Sequence, residues 1–177
     1  MNETETKQTA YLAGGCFWGM EELVRQIPGV LATEVGYTGG NTPDANYEQV
    51  KTGKTGHAES LKIVFDTEKL SYRHLLFEFF RMHNPTTLNQ QGNDIGTQYR
   101  SAVFYLTEEQ KATANNVIAI VDTSGEWQAK IVTGVVPFKE FFRAEGYHQK
   151  YLVKNPGGYT CHYVRRLALG EVPSQVE

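Results

Sequence analysis

The chain has 177 residues, 40% of them hydrophobic and 21% charged, and a formal net charge of −3. That length and composition suit one compact domain with a core of its own, and the absence of any basic run argues against nucleic-acid binding, which needs clustered Lys and Arg. No apolar run approaches the ~20 residues of a membrane span, and Met1 to Ala10 lacks the apolar core of a signal peptide, so a reducing cytoplasm is the expected compartment.

The expected organisation is a single domain over 1–177, with 1–8 and 170–177 as flexible tails. Tyr11-Leu12-Ala13 reads as a strand that runs into Gly14-Gly15-Cys16-Phe17-Trp18-Gly19. Met20, Leu23, Val24 and Ile27 then follow the i, i+3, i+4, i+7 spacing of a helix face, and Pro28-Gly29 stops it. Cys16 therefore lies at or near a helix N-terminus. Free N–H groups and the positive dipole end there favour a thiolate and lower the thiol pKa. The glycines leave room for another molecule to approach the sulfur.

Val30 to Tyr37 reads as a strand, and Gly36 to Asp44 as a surface loop. Tyr47 sits in the short stretch Asn46 to Val50, and Gly53 and Gly56 mark a second turn before His57-Ala58-Glu59. Leu61, Ile63 and Phe65 alternate with Lys62 and Val64, which is a strand with Glu59 at or just before its start. Ser71 caps a helix with Leu75, Leu76, Phe79, Phe80 and Met82 on its apolar face, ended by Asn84-Pro85. The polar loop Thr86 to Gln98 carries Asp94, and loops of that length are often functional. Tyr99 opens a strand to Leu106. Thr107-Glu108-Glu109-Gln110 is a capping-box signature for a helix to about Asp122. Ala129 to Val136 reads as a strand and Phe138 to Leu152 as a helix broken at Gly146. Asn155-Pro156-Gly157-Gly158 interrupts regular structure just before Cys161.

This order predicts an α/β (α+β) fold: a two-layer ferredoxin-like sandwich with a mixed, mostly antiparallel sheet, packed helices and long loops.

Two cysteines, Cys16 and Cys161, are too few for a disulfide scaffold, and no close pair suggests zinc. No metal is expected. A thiol at a glycine-rich helix start suits two chemistries. Acyl transfer needs a histidine base, and nothing marks any of His57, His74, His83, His148 or His162 as that partner. Redox attack on an oxidised sulfur needs a nucleophilic thiol, an acid for the leaving oxygen, donors to hold that oxygen, and an apolar wall. Phe17 and Trp18 supply such a wall, since aromatic rings favour sulfur and its methyl groups, although a core role fits the pattern equally well. Glu59 is the candidate acid: burial beside those rings would raise its pKa, whereas a solvated strand-edge glutamate is the commoner case. Tyr47, Asp94 and Tyr99 border turns that can face a site, and pattern alone does not distinguish them from surface residues. A third reading is a non-enzymatic peptide-binding module or redox sensor.

Longer motifs sharpen the choice. Gly14-Gly15-Cys16-Phe17-Trp18-Gly19, Gly36-Tyr37-Thr38-Gly39-Gly40, Tyr47-Glu48-Gln49-Val50, Gly53-Lys54-Thr55-Gly56-His57-Ala58-Glu59, Asn84-Pro85-Thr86, Asp94 to Ser101, and Asn155-Pro156 with Gly158-Tyr159 occur in order from about residue 9 to 166. Together they resemble the A-type peptide methionine sulfoxide reductases. The resemblance implies reduction of the S epimer of methionine sulfoxide, free or in proteins, and hence repair of oxidised proteins. It implies Cys16 as nucleophile, Glu59 as acid, Tyr47 and Tyr99 as oxygen-binding donors, and Asp94 as a residue holding substrate or water. Phe17 and Trp18 hold the methyl group, and Gly15 and His57 complete the substrate-binding set. Cys161 is the recycling thiol, and the second, more C-terminal one found in some members is absent. The implied cycle runs through a Cys16 sulfenic acid and a Cys16–Cys161 disulfide to reduction by thioredoxin or a similar dithiol. It needs no cofactor and no partner beyond reductant and substrate. A monomer is expected.

Overall fold

The computed structural model describes residues 6–170. Most of the expected tails, 1–5 and 171–177, lie outside the described residues. Lys7 and Gln8, expected in a tail, instead open the first strand and pair with Asp66 and Phe65.

Strand β1 (Lys7–Gly14) alternates as a two-sided strand must. Ala10 and Leu12 enter the main core, while Tyr11 and Ala13 join a smaller cluster on the opposite face. Helix α1 (Phe17–Val24) follows, then β2 (Val30–Thr38), the one-turn helix α2 (Tyr47–Val50) and β3 (Ala58–Asp66). Helix α3 (Tyr72–Met82) buries Leu75, Leu76, Phe79 and Phe80, and its Ser71 cap accepts the His74 N–H at 3.0 Å. A small hairpin of β4 (Gln90–Gln91) and β5 (Asp94–Ile95) precedes β6 (Ser101–Tyr105) and α4 (Glu108–Thr123). Strands β7 (Gly134–Pro137) and β8 (Phe141–Arg143) and the short helix α5 (Tyr151–Lys154) complete the described chain.

The main sheet runs β7-β6-β1-β3-β2-β8. Its four central strands are antiparallel neighbours, so β1-α1-β2-β3-α3-β6 is the ferredoxin-like unit the sequence predicts. Strand β7 extends one edge in parallel with β6, and β8 extends the other antiparallel to β2. The helix-facing side holds Leu12, Phe17, Met20, Val35, Leu61, Ile63, Phe79 and Phe80 in one core.

The segment from Phe138 to Leu152 is not the expected helix. It forms β8, a single 3-10 turn at Gly146–His148, and α5. The exposed edge of β2 decides this, because pairing Thr38 with Phe141 and Gly36 with Arg143 satisfies backbone groups that water alone would otherwise meet. Gly36 makes the approach possible, since a Cβ there would collide with the Phe141 ring and the Phe142 carbonyl. Two strands are shorter than expected: Ala129 to Val136 narrows to Gly134–Pro137, and Tyr99 belongs to a 3-10 turn ahead of β6. The expected capping box before α4 is half made. Thr107 accepts the Gln110 N–H at 3.1 Å, but the Gln110 side chain turns to the Leu106 N–H and the Thr9 carbonyl.

Candidate active site

Cys16 is the residue that caps α1, and it lies 8% exposed at the junction of β1 and the helix. The turn needs Gly15 at φ +95°, a left-handed conformation that a side chain resists. The space around these glycines is not open to a visitor, as the sequence suggested, but filled by the protein. A Cβ on Gly15 would press into the Gln91 side chain and His162, and one on Gly19 would strike Thr160 and His162. Gly15 and Gly19 thus seat the segment that carries Cys161.

The helix end does not lower the Cys16 pKa. The N–H groups of Trp18 and Gly19 act in the expected direction, but burial and the neighbouring charge of Glu59 outweigh them and push the thiol well above its ordinary value. Across the neutral range the resting group is a thiol.

Glu59 stands on the same face of β3 as Leu61 and Ile63, which turns it under the start of α1. It is 3% exposed and accepts the Phe17 N–H at 3.2 Å. Burial pushes its carboxyl up to about 8, against that hydrogen bond and helped by the charge of Asp94. Glu59 is therefore a protonated acid at neutral pH, and the solvated-edge alternative does not apply.

Tyr47 approaches from the start of α2 and Tyr99 from the end of the 3-10 turn Thr97–Tyr99. Both phenols are raised by burial, and both feel Glu59 and Cys16. Among the described residues neither hydroxyl has a hydrogen-bond partner. The two carriers are tied together: Gln98 donates to the Lys51 carbonyl and Thr97 to the Gly53 carbonyl, both at 3.3 Å. Tyr47 is fixed from its other side by Glu145, which accepts its N–H at 3.1 Å and the Tyr37 hydroxyl at 3.0 Å.

Asp94 comes from the β4–β5 hairpin. Its carboxyl accepts the Tyr159 hydroxyl at 3.3 Å, lies 4.0 Å from the Cys161 sulfur, and its charge reaches Cys16 and Glu59. Burial raises its pKa and the Tyr159 bond lowers it. Both cysteines are free thiols, with Cys161 half-buried.

Phe17 and Trp18 divide the roles left open by the sequence. Phe17 is 1% exposed and belongs to the core, with its ring 5.1 Å from that of His148. Trp18 is part-exposed, stacks on Tyr151 at 3.7 Å, and donates its indole N–H to His148 at 2.9 Å. His57 is remote from this wall in its bonding: its ring holds the loop through the Gly40 N–H and the Thr42 carbonyl. It organises backbone and has no ring nitrogen left for a substrate. The histidine pairing that acyl transfer requires is also missing. His83 is bonded to the Phe79 carbonyl and Ser101 and is held neutral by burial, at about 3, while His162 is bonded to the Gly14 carbonyl. Among the described residues no histidine hydrogen-bonds Cys16.

His148, Tyr151, Glu145 and Tyr159 belong to this region and received no site role from the sequence, where His148 stood only among the five histidines and Tyr159 only within a motif. All but Tyr159 lie in the misread segment Phe138 to Leu152, where the available signal was the break at Gly146.

Comparison with known proteins agrees with this geometry. The family model described as peptide methionine sulfoxide reductase matches residues 8–176. A peptide methionine sulfoxide reductase MsrA of Nocardia farcinica is 54% identical over 92% of this chain and 92% of its own. One from Streptomyces coelicolor is 56% identical over 89% of this chain and 90% of its own. Among solved structures, reduced Mxr1 of Saccharomyces cerevisiae superposes with a TM-score of 0.85 at 36% identity, covering 93% of this chain and 96% of the yeast one. Mxr1 in complex with Trx2 matches with a TM-score of 0.62 at 24% identity, over 93% and 94% of the two chains, and bears on the fold alone. With the family model spanning nearly the whole chain and relatives above half identity, the chain belongs to the A-type peptide methionine sulfoxide reductases.

Proposed function

We propose that this chain reduces the S epimer of methionine sulfoxide, free or within proteins, with Cys16 as nucleophile and Glu59 as acid. The observation that carries this reading is the pairing of a buried thiol with a carboxyl whose pKa stands at about 8. A sulfoxide is a poor electrophile until its oxygen is protonated. A carboxylic acid that survives at neutral pH can supply that proton. Cys16 then attacks the sulfur, and its own proton passes to the Glu59 carboxylate. In the adduct so formed the hydroxyl passes from the substrate sulfur to the Cys16 sulfur, breaking the substrate S–O bond and the new Cys16–substrate S–S bond. Methionine leaves and Cys16 remains as sulfenic acid, so the thiol is oxidised by two electrons and the sulfoxide reduced by two. Tyr47 and Tyr99 donate to the oxygen as charge changes there, and Asp94 holds substrate or an ordered water. Trp18 forms the wall for the substrate methyl group.

Cys161 condenses with the sulfenic acid, expelling water and forming a Cys16–Cys161 disulfide. A dithiol such as thioredoxin reduces it by exchange. The yeast relative Mxr1, 36% identical to this chain in its reduced form, is itself described in complex with Trx2, which favours that choice of reductant. The chain acts as one domain and a monomer in a reducing compartment such as the cytoplasm, without metal or organic cofactor.

Release of methionine from the S-sulfoxide, driven by dithiothreitol, tests the reading against its rivals. A hydrolase would turn over esters or amides without reductant, and a binding module would release nothing. Single-turnover release by Cys16→Ser at the parent rate would remove Cys16 as nucleophile.

A further inference from the structure

Glu21 lies one turn beyond Phe17 on α1 and is 1% exposed, yet no step above uses it. A buried carboxyl is stable only if its oxygens are satisfied. Here both are. One oxygen accepts the backbone N–H of Lys150 at 2.7 Å; the other accepts the Lys150 ammonium and the Thr33 hydroxyl, each at 2.8 Å. The ammonium also reaches the Thr33 hydroxyl and carbonyl, both at 2.8 Å. Three elements, α1, β2 and the chain entering α5, close on one carboxyl.

Lys150 is held at φ +54°, a conformation rarely adopted by a residue with a long side chain. Its neighbour Gln149 extends the same fastening, bonding the Val35 N–H and carbonyl and the Ala144 carbonyl, each at 2.9 Å. On either side of this pair stand His148, which accepts the Trp18 indole N–H, and Tyr151, on which the Trp18 ring stacks. Among the described residues the hydrogen bond and the ring contacts of Trp18 therefore come from a segment pinned back to α1 through Glu21, in addition to its packing on the core.

We infer that Glu21 and Lys150 are positioning residues for substrate binding: their ion pair fixes the His148–Tyr151 segment, and that segment fixes Trp18. The inference rests on the reading of Trp18 as the methyl-binding wall. Cys16 and Glu59 are held by other contacts, so the clamp governs how well the sulfoxide is bound rather than the bond-making step.

The experiment measures single-turnover methionine formation against sulfoxide concentration for Lys150→Met, Glu21→Gln and Lys150→Arg. It also measures iodide quenching of Trp18 without substrate, in a Trp127→Phe background. Lys150→Met removes a charge on a side chain that is 40% exposed while keeping the stem, so the fold should persist. Half-saturation should rise by about 10- to 100-fold in Lys150→Met and Glu21→Gln, the cost of ångström-scale misplacement, with the limiting rate within about threefold of the parent. Trp18 should become more quenchable, and Lys150→Arg should recover both properties. Unchanged half-saturation in folded Lys150→Met, or a fall confined to the limiting rate, overturns the inference, as does unchanged quenching. Should Glu21→Gln not fold, Lys150→Met decides alone. Trp18→Ala separates the two readings: normal half-saturation there would remove Trp18 from the wall, while the quenching data would still report on the clamp.

Discussion

Cys16 and Glu59 each hold a proton at neutral pH, and the chemistry we propose consists of moving both. Burial is the largest cause of each raised pKa, and it acts in one direction: it disfavours charge on the sulfur and on the carboxyl alike. A thiol that is not ionised at rest is protected from casual oxidation, and it becomes nucleophilic only when Glu59 has given up its proton and can receive another. Glu59→Gln keeps the acceptor for the Phe17 N–H but cannot supply a proton. Its single-turnover rate should fall by roughly 10²- to 10⁴-fold, the usual contribution of a general acid. Tyr47→Phe and Tyr99→Phe should each cost less, because one donor remains, and the double variant should cost more. In the parent the rate should decline as pH rises through about 8, where the acid form is lost. A parent-like rate in Glu59→Gln, or a flat profile through that range, would contradict the assignment.

At the scale of elements, Gly19 of α1 decides how the segment carrying Cys161 lies against the helix. Gly19 lets Thr160 and His162 lie against the helix, and His162 bonds the Gly14 carbonyl at 2.7 Å, just before Cys16. Gly19→Ala should displace this segment. Reductant-driven turnover should drop by about tenfold or more through misplacement of Cys161, while methionine from the first turnover persists. Equal turnover in the variant and the parent would show that the segment finds its place without Gly19. The same elements show what could be read in advance. Period-two alternation through Leu61, Ile63 and Phe65 located β3 with Glu59 at its start, but left the burial of Glu59 open, and the structure supplies it. The Pro28-Gly29 stop and Ser71 cap located α1 and α3. The stretch after Phe138 could not be read locally, because its strand exists only by pairing with the edge of β2, about a hundred positions earlier in the chain: Thr38 pairs with Phe141 and Gly36 with Arg143. His148 and Tyr151 were missed with it, since nothing near them in sequence names Trp18. The raised thiol pKa was missed for a related reason: a helix end is visible in sequence, and the depth of burial is not.

For the whole molecule, the ferredoxin-like sheet brings three distant stretches to one end of β1: Cys16 directly after it, Glu59 on its neighbour β3, and Tyr99 just before its other neighbour β6. Housing a carboxyl in that core has a cost for stability that depends on pH. Because the folded pKa of Glu59 is raised, the proton it binds stabilises the fold fully below its ordinary value of 4.5, and this contribution is lost as pH rises through about 8. The melting temperature of Glu59→Gln should therefore decline less steeply than the parent's across that window, by a few degrees in about this size of domain. Identical slopes would mean that Glu59 does not titrate in the folded state as described.

The proposed cycle divides the labour between two thiols, with Cys16 making methionine and Cys161 returning Cys16 to the reduced state. The most direct measurement is methionine yield from Cys161→Ser mixed with excess S-sulfoxide and no reductant, with a dimedone-type trap read by mass spectrometry. The account predicts about one methionine per enzyme, a trapped sulfenic acid on Cys16, and collapse of thioredoxin-driven turnover. No methionine, or a trap located away from Cys16, would contradict it.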